Sequence, residues 1–398
     1  MTRINVMKPW FGPQEAAAVT AVLESGWVAQ GPRVAEFERE FARRQQVAEA
    51  VTTSSCTAAL HLALVVSGVQ ARDDVVVPSF SFVATANAPT YVGARPVFAE
   101  VDPLTGNVDR STVAAALTPA TRAVIVVDQG GVPVDLDPIR ELCDPLGITV
   151  IEDAACAVGS TYRGRPVGAG AALATWSFHP RKLLTTGEGG MLTTDDQAWA
   201  ARARRLREHA MSVSAATRHE SVLAPPETYD EVGFNYRMTD LQAAIGLVQL
   251  GRLDAVVARR RALAQRYRAG LAAVRGLRLV ADPTWGEGNF QSLWVEVTEL
   301  FPLDRDGLLR HLAERGISGR RGIMAAHRQP AHEGRQSRTS LRPHLPFTER
   351  LTDRTLVLPL YHELTEDEVD TVLHAIYEAA GLARGETDSH SDAKEATA

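Results

Sequence analysis

The sequence contains only three cysteines, and they fit neither a disulfide framework nor a metal site. Cys56, Cys143 and Cys156 form no Cys-x2-Cys pair in this chain of 398 residues. Structural disulfides form in oxidising compartments, so the simplest location for a chain without them is a reducing cytoplasm. We therefore expect a cytoplasmic protein without a metal site.

The chain also lacks an excess of positive charge and a long hydrophobic run. Its formal net charge is -6, which does not favour binding to nucleic acid or to an acidic membrane surface. No apolar stretch approaches the roughly 20 residues of a transmembrane helix. Residues 1–6 lack the apolar segment of a signal peptide. We expect neither nucleic acid nor a membrane as a partner.

Hydrophobic residues make up 45% of the chain and charged residues 23%, as in an ordinary soluble globular protein. Between about residues 12 and 250, helical and strand patterns alternate. Helical patterns cover residues 16–23, 34–44, 57–66, 137–146 and 241–272, and strand patterns cover residues 51–53, 75–78, 96–98, 123–127 and 150–151. This alternation predicts crossover units and a mainly parallel sheet.

A second unit starts near Leu277. Strand patterns at residues 293–297 and 356–358 and helical patterns at residues 305–315 and 367–380 follow, with a predicted loop over residues 325–347. The last residues are polar and poor in large apolar side chains, which is typical of disorder. We predict a large domain over residues 1–254, a smaller domain over residues 255–383 and a disordered tail over residues 384–398.

Lys182 and Asp153 are the residues with the clearest chemical meaning. Lys182 precedes the Gly-rich stretch 185–190, and Asp153 ends the strand-like run that starts at Gly147. A Lys amine can hold the aldehyde of pyridoxal 5'-phosphate (PLP) as a Schiff base, while a carboxylate keeps the pyridine nitrogen protonated. Most lysines are solvated surface charges, so the surrounding segments decide between the two interpretations.

Three other segments place candidate groups at the same edge of the sheet, where ligands bind in open α/β folds. The segment Ser55-Cys56-Thr57 starts a helix, and its amides either bind a phosphate or are simply capped. Phe82 follows the next strand and either stacks on a flat ring or belongs to the core. Ser177 either donates to a phosphate or closes a turn. The order of these segments along the chain fits a single site.

These segments resemble the motifs of the DegT/DnrJ/EryC1/StrS sugar aminotransferases, which are fold-type I PLP enzymes. The match extends from about residue 25 to 359 and is strongest in residues 78–88, 150–160, 177–191 and 233–246. It implies an α/β fold with a mainly parallel seven-stranded sheet between helices, plus a smaller C-terminal α+β domain. It also implies transfer of an amino group from glutamate or glutamine to a keto-sugar in amino-sugar biosynthesis. The expected acceptor is a nucleotide-linked 4-keto-6-deoxy hexose.

The resemblance also implies roles for individual residues. Lys182 corresponds to the Schiff-base lysine, Asp153 to the partner of the pyridine nitrogen and Phe82 to the aromatic that stacks on the ring. The residues expected to bind the phosphate are Ser55, Cys56, Thr57, Ser177 and Asn235. Asn235 matches an Asn that reaches the phosphate of the neighbouring subunit, which implies a homodimer with shared active sites.

Departures from the family pattern leave parts of the site open. Cys156 stands where the family often has Gln near the phenolic oxygen of the cofactor. It is therefore either a cofactor-binding residue or a small buried filler. Arg320 and Arg321 resemble a region that lines the acceptor pocket. They either bind a diphosphate or belong to a solvated loop. His327 and His209 are further acceptor candidates.

Three other functions stay open at this point. Some relatives aminate cyclitol or carbasugar ketones that carry no nucleotide, and the sequence does not exclude this. PLP-dependent sugar dehydratases replace the lysine with His, whereas this chain has Lys182. A non-catalytic PLP-binding protein is disfavoured because Lys182 and Asp153 are both present.

Overall fold

The computed structural model of the chain describes residues 3–213, 226–332 and 344–382. The predicted tail, residues 384–398, lies outside the described residues. The described helices are α1 (Pro13–Ser25), α2 (Pro32–Gln45), α3 (Cys56–Val66), α4 (Val83–Tyr91), α5 (Arg110–Ala116), α6 (Leu136–Cys143), α7 (Gln197–Leu206), α8 (Asp240–Gly251), α9 (Leu253–Leu271), α10 (Arg305–Glu314), α11 (Pro346–Arg354) and α12 (Glu366–Ala380).

The described strands form three sheets, the largest of which has seven strands. The strands are β1 (Glu49–Thr53), β2 (Asp74–Pro78), β3 (Arg95–Ala99), β4 (Thr121–Val127), β5 (Thr149–Asp153), β6 (Thr161–Tyr162), β7 (Arg165–Pro166), β8 (Leu173–Ser177), β9 (Gly190–Thr194), β10 (Leu277–Leu279), β11 (Gly286–Glu287), β12 (Leu293–Val297), β13 (Arg320–Arg321) and β14 (Thr355–Leu358).

The seven-stranded sheet has the order β1-β9-β8-β5-β4-β2-β3. The pairs β2–β3, β2–β4, β4–β5 and β5–β8 are parallel, and β9 is antiparallel to both of its neighbours. The predicted mainly parallel seven-stranded sheet is confirmed. Because parallel strands run in one direction, the carboxyl ends of β2, β5 and β8 lie at the same edge.

Helices cover both faces of this sheet, which explains the continuous apolar runs of its central strands. Along β4, Val124 and Val126 belong to the hydrophobic cluster on one face, while Ile125 belongs to the cluster on the other. All three side chains are fully buried. Burial of each contributes about 1.5–3 kcal/mol, so β4 anchors the two helical layers to one sheet.

Residues 277–358 supply a four-stranded antiparallel sheet in the order β10-β12-β14-β13. The helices α10, α11 and α12 accompany it, so this part of the chain has an α+β composition. A three-stranded sheet, β11-β6-β7, brings the segment before β12 against the loop that follows β5. The domain limits at residues 254 and 383 stay predictions.

The prediction of one long helix over residues 241–272 is wrong, because α8 and α9 meet at an angle of 58°. Arg252, between them, leaves the helical conformation. Its guanidinium lies 3.9 Å from the ring centroid of Trp10 and pairs with the buried Glu15. These long-range contacts, together with the low helix propensity of Gly251, favour the break.

Among the described residues, no single helix is both long and apolar enough to cross a membrane. The bent pair α8 and α9 reaches that length and apolar composition only when the two helices are counted together.

Candidate active site

The carboxyl ends of β5 and β8 bring Lys182 and Asp153 into one cluster with two cysteines. The Lys182 Nζ atom lies 3.0 Å from Cys156 Sγ. The Cys56 Sγ atom lies 3.9 Å from Asp153 Oδ1. Asp153 is the last residue of β5, and Cys156 lies in the turn that follows it. The structure thus brings together four residues that the sequence places in three separate segments.

Asp153 is a buried carboxylate held by hydrogen bonds. The Thr85 hydroxyl donates to Asp153 Oδ2 over 2.8 Å, and the Ala155 amide donates to Oδ1 over 3.2 Å. Burial raises the pKa of Asp153, while the hydrogen bond from Thr85 and the charge of Lys182 partly oppose this rise. The hydrogen bonds therefore favour the ionised form that burial disfavours.

Thr85 is a site residue that the sequence interpretation missed. It lies on α4, where its hydroxyl is also 2.9 Å from Ser81 Oγ. Both side chains are buried. A polar residue in the first turn of a short helix after a buried strand is the only local signal. That signal does not identify the partner, which is 68 residues away.

The Lys182 amine stays protonated at neutral pH. Burial acts to lower its pKa, but contact with Cys156 and the charge of Asp153 outweigh burial, so the pKa lies above its ordinary value. Burial raises the pKa of the Cys56 thiol well above its usual range, so that thiol is neutral. We therefore attribute the raised pKa of Lys182 to Cys156 and Asp153.

The start of α3 offers free backbone donors beside this cluster. The Ser55 hydroxyl caps the helix by accepting a hydrogen bond from the Ala58 amide over 3.2 Å. The first two helical residues, Cys56 and Thr57, have no intrahelical acceptor for their amides. Such amides, together with the helix dipole, favour an anion. The predicted segment 55–57 therefore has the geometry of an anion-binding turn.

Ser177 reaches the same turn through the pairing of β8 with β9. It is the last residue of β8 and lies opposite Gly190 of β9. A Cβ atom at Gly190 would lie 2.5 Å from the Cys56 amide nitrogen, so only glycine allows this close approach. The strand pairing thus holds Ser177 next to the start of α3.

Phe82 and Asn235 are exposed rather than buried at this edge. Phe82 precedes α4 and is 63% exposed. Asn235 pairs through its backbone with Glu208. The adjacent Tyr236 carbonyl accepts a hydrogen bond from the Ser54 amide over 2.8 Å. Asn235 therefore lies on a segment that runs beside the anion-binding turn.

The two predicted arginines are the two residues of β13, and both are exposed. Arg321 donates to Asp306 over 2.9 Å. Burial and the charge of Arg181 lower the pKa of Arg320. Arg320 therefore lies within electrostatic range of Arg181, the residue that precedes Lys182.

The structure does not bring the two predicted histidines to the cluster. His327 is 2% exposed, and its Nδ1 and Nε2 atoms contact Ser79 Oγ at 2.6 Å and Glu349 Oε1 at 3.2 Å. His327 thus joins the end of β2 to α11. His209 is exposed, and its backbone has a φ of 62°. Neither has a contact with Lys182 or Asp153 among the described residues.

The family model of the DegT/DnrJ/EryC1/StrS aminotransferases matches residues 10–377. The chain is 38% identical to the aminotransferase TlmJ from Streptoalloteichus hindustanus, covering 95% of this chain and 99% of that one, with a TM-score of 0.87. It is 32% identical to S. venezuelae DesV, solved with a ketimine intermediate, covering 96% and 100%, with a TM-score of 0.87. It is 31% identical to DesI, solved in the presence of its TDP-sugar product, covering 98% and 96%, with a TM-score of 0.86.

Proposed function

Because this chain belongs to the DegT/DnrJ/EryC1/StrS family of PLP-dependent sugar aminotransferases, we propose that it moves an amino group from glutamate or glutamine to a nucleotide-linked 4-keto-6-deoxy hexose. Family membership confirms the predicted fold type, enzyme class and cofactor. The observation that carries the proposal is the cluster of Lys182, Asp153 and the start of α3. The similarity to DesI supports a nucleotide-linked acceptor.

The residues of the cluster fit PLP group by group. Lys182 offers a primary amine, and Asp153 offers a buried carboxylate for the pyridine nitrogen. The amides of Cys56 and Thr57, with Ser177, offer donors for the phosphate. Phe82 offers an exposed aromatic face. When bound, PLP supplies an electron sink for negative charge at the α-carbon of the amino donor.

In this proposal Asp153 holds a proton on the pyridine nitrogen. Its buried position strengthens that interaction because the local dielectric is low. The hydrogen bonds from Thr85 and Ala155 fix the carboxylate and keep it ionised. Asp153 therefore acts as a fixed negative charge throughout turnover.

Lys182 provides the amine and moves protons. Since its pKa lies above the ordinary value, the amine has to lose a proton before it acts as a nucleophile or a base. Once neutral, it takes a proton from the donor's α-carbon, and in the second half of the cycle it delivers a proton to the acceptor carbon that gains the amino group. Cys156, 3.0 Å from the Nζ atom, and Asp153 both favour the protonated amine and therefore oppose this proton loss.

For the acceptor, we propose that Arg320 binds the diphosphate. Its neighbour Arg181 adds a second positive charge. Two guanidinium groups that raise each other's energy provide a favourable site for a phosphate group. Arg321 and His327 are engaged by Asp306 and by Ser79 and Glu349, so we do not include them. The only support for His209 as an acceptor-binding residue is that it is exposed.

We also propose a homodimer in which Asn235 of one subunit completes the phosphate site of the other. Asn235 and Phe82 are both exposed, so both are accessible to a second subunit at this edge. A cytoplasmic location remains part of the proposal.

A labelling experiment tests the amine directly, because the chain has only three lysines, Lys8, Lys182 and Lys394. After incubation with PLP and reduction with borohydride, peptide mass spectrometry is expected to find the cofactor on Lys182. Lys182→Ala is expected to abolish fixation. Lys8→Ala is the matched control, since Lys8 pairs with Glu363 at the surface. Stoichiometric fixation in Lys182→Ala would refute the assignment.

An acceptor panel tests the substrate. With glutamate as donor, a TDP-linked 4-keto-6-deoxy hexose is expected to be aminated, while a cyclitol ketone without a nucleotide is not. Preference for the cyclitol would replace the proposed acceptor with the alternative one and leave the role of Lys182 unaffected.

A further inference from the structure

Residues 289–291, a short segment before β12, contact the backbone beside Lys182 and the backbone of Cys156. We propose that Gln291 and Asn289 are positioning residues that fix the Lys182 amine relative to Cys156. This inference rests on the proposed function of Lys182. Nothing in the local sequence around Lys182 indicates it, because the segment lies more than 100 residues further along the chain.

The side chain of Gln291 binds the backbone on both sides of Lys182. Its Oε1 atom accepts a hydrogen bond from the Leu183 amide over 3.0 Å. Its Nε2 atom donates to the Arg181 carbonyl over 2.6 Å. A buried amide with a donor and an acceptor group can engage one residue's two neighbours at once. Gln291 thereby fixes the direction in which the Lys182 side chain leaves the backbone.

The side chain of Asn289 binds the turn that contains Cys156. Its Nδ2 atom donates to the carbonyls of Cys156 and Val158 over 2.8 and 2.9 Å. Asn289 is fully buried. A Cβ atom at Gly131 would lie 1.9 Å from Asn289 Oδ1, so the glycine makes room for this side chain. Asn289 thereby fixes the turn that carries the Cys156 thiol.

The two amides act as one unit. The Gln291 amide nitrogen donates to Asn289 Oδ1 over 2.7 Å. Between them Phe290 has a φ of 52°, a conformation that is costly for a residue other than glycine. Buried Arg260 stabilises it by donating to the carbonyls of Phe290 and Gln291 over 2.7 and 2.9 Å. A strained residue held in this way keeps the spacing between the two amides constant.

Both amide side chains act on the 3.0 Å contact between Lys182 Nζ and Cys156 Sγ. One amide fixes the backbone of Lys182, and the other fixes the backbone of Cys156. Loss of either allows the amine to shift relative to the donor's α-carbon. A displacement of about 1 Å at a reacting group can reduce the rate about 100-fold.

The test compares Gln291→Met with Gln45→Met in the holoenzyme. Gln45 is a matched control, because it is also buried and its side-chain amide also donates to a backbone carbonyl, that of Val167 over 3.0 Å, away from the cluster. In Gln291→Met, the single-turnover half-reaction with glutamate is expected to slow about 100-fold. Affinity for PLP is expected to change much less, and hydrogen exchange at the Leu183 amide to accelerate. Gln45→Met is expected to keep the wild-type rate and the wild-type exchange at Leu183.

Gln291→Glu provides a second variant of the same shape. It keeps the acceptor for the Leu183 amide but places a carboxylate oxygen against the Arg181 carbonyl, so its rate is also expected to fall below that of the wild type. A wild-type half-reaction rate in a folded variant at position 291 would overturn the inference. Fixation of PLP on a lysine other than Lys182 would instead overturn the proposed function, so the two failures are distinguishable.

Discussion

Removing the Thr85 hydroxyl should disfavour the ionised form of Asp153 without changing the shape of the site. Thr85 is 2% exposed, and Thr85→Val removes its hydroxyl, which lies 2.8 Å from Asp153 Oδ2. A hydrogen bond to a charged group contributes about 1.5–3 kcal/mol. If that energy is lost from the step that needs ionised Asp153, the rate falls roughly 10- to 150-fold.

The same change should move the pH dependence in one direction. Burial already raises the pKa of Asp153, and the Thr85 hydrogen bond opposes that rise. Its loss raises the pKa further, so the acid limb of the half-reaction with glutamate moves to higher pH. The rate is measured by stopped-flow absorbance of the bound cofactor between about pH 3.5 and about 9, which spans the ordinary carboxyl and imidazole range.

Two variants separate the hydrogen bond from general damage to α4. Thr85→Ser keeps a hydroxyl and is expected to keep the acid limb of the wild type. Thr90→Val removes a hydroxyl that donates to the Asn87 carbonyl on the same helix, and is expected to leave the half-reaction unchanged. If Thr85→Val had both the wild-type rate and the wild-type acid limb, the assignment of Asp153 would be refuted.

Three other changes have expected outcomes. Cys156→Ala removes a contact that raises the pKa of Lys182, so borohydride-trapped PLP capture should reach its half-maximal rate at lower pH; an unchanged profile contradicts this. Arg320→Ala should raise the KM for the nucleotide-linked acceptor roughly 10- to 100-fold with the glutamate half-reaction unchanged, whereas Arg321→Ala should affect neither. Burial raises the pKa of Glu152 to about 7, so the folded state holds a proton that the unfolded state releases at lower pH. Stability should therefore fall by up to about 3 kcal/mol as the pH rises towards about 7. In denaturant titrations Glu152→Gln should flatten this dependence, and an unchanged slope contradicts it.

The parts of the fold that could be predicted from the sequence are those fixed by local pattern. The continuous apolar residues of β2 and β4 require burial on both faces, and this predicts a parallel sheet. Lys182 and Asp153 could be assigned to one edge because both follow strands of that sheet. These inferences need only the direction of the strands, which alternation with helices supplies.

The parts that could not be predicted depend on contacts between distant segments. Arg252 breaks the helical run because it reaches Trp10 and Glu15, more than 230 residues earlier. Nothing in the sequence around His327 indicates that it contacts Ser79. Arg320 and Arg321 form β13, a strand that the sequence pattern did not indicate.

Amide side chains are the hardest case, because Asn and Gln are common at surfaces and turns and have no chemistry of their own that marks a site. The sequence distinguishes Lys182 by what an amine can do. It cannot distinguish Gln291, whose contribution consists entirely of hydrogen bonds to other residues' backbone. Precision at a reacting atom is therefore encoded far from that atom. A comparison of the motifs around Lys182 would identify the reactive amine correctly and still miss the residues that position it.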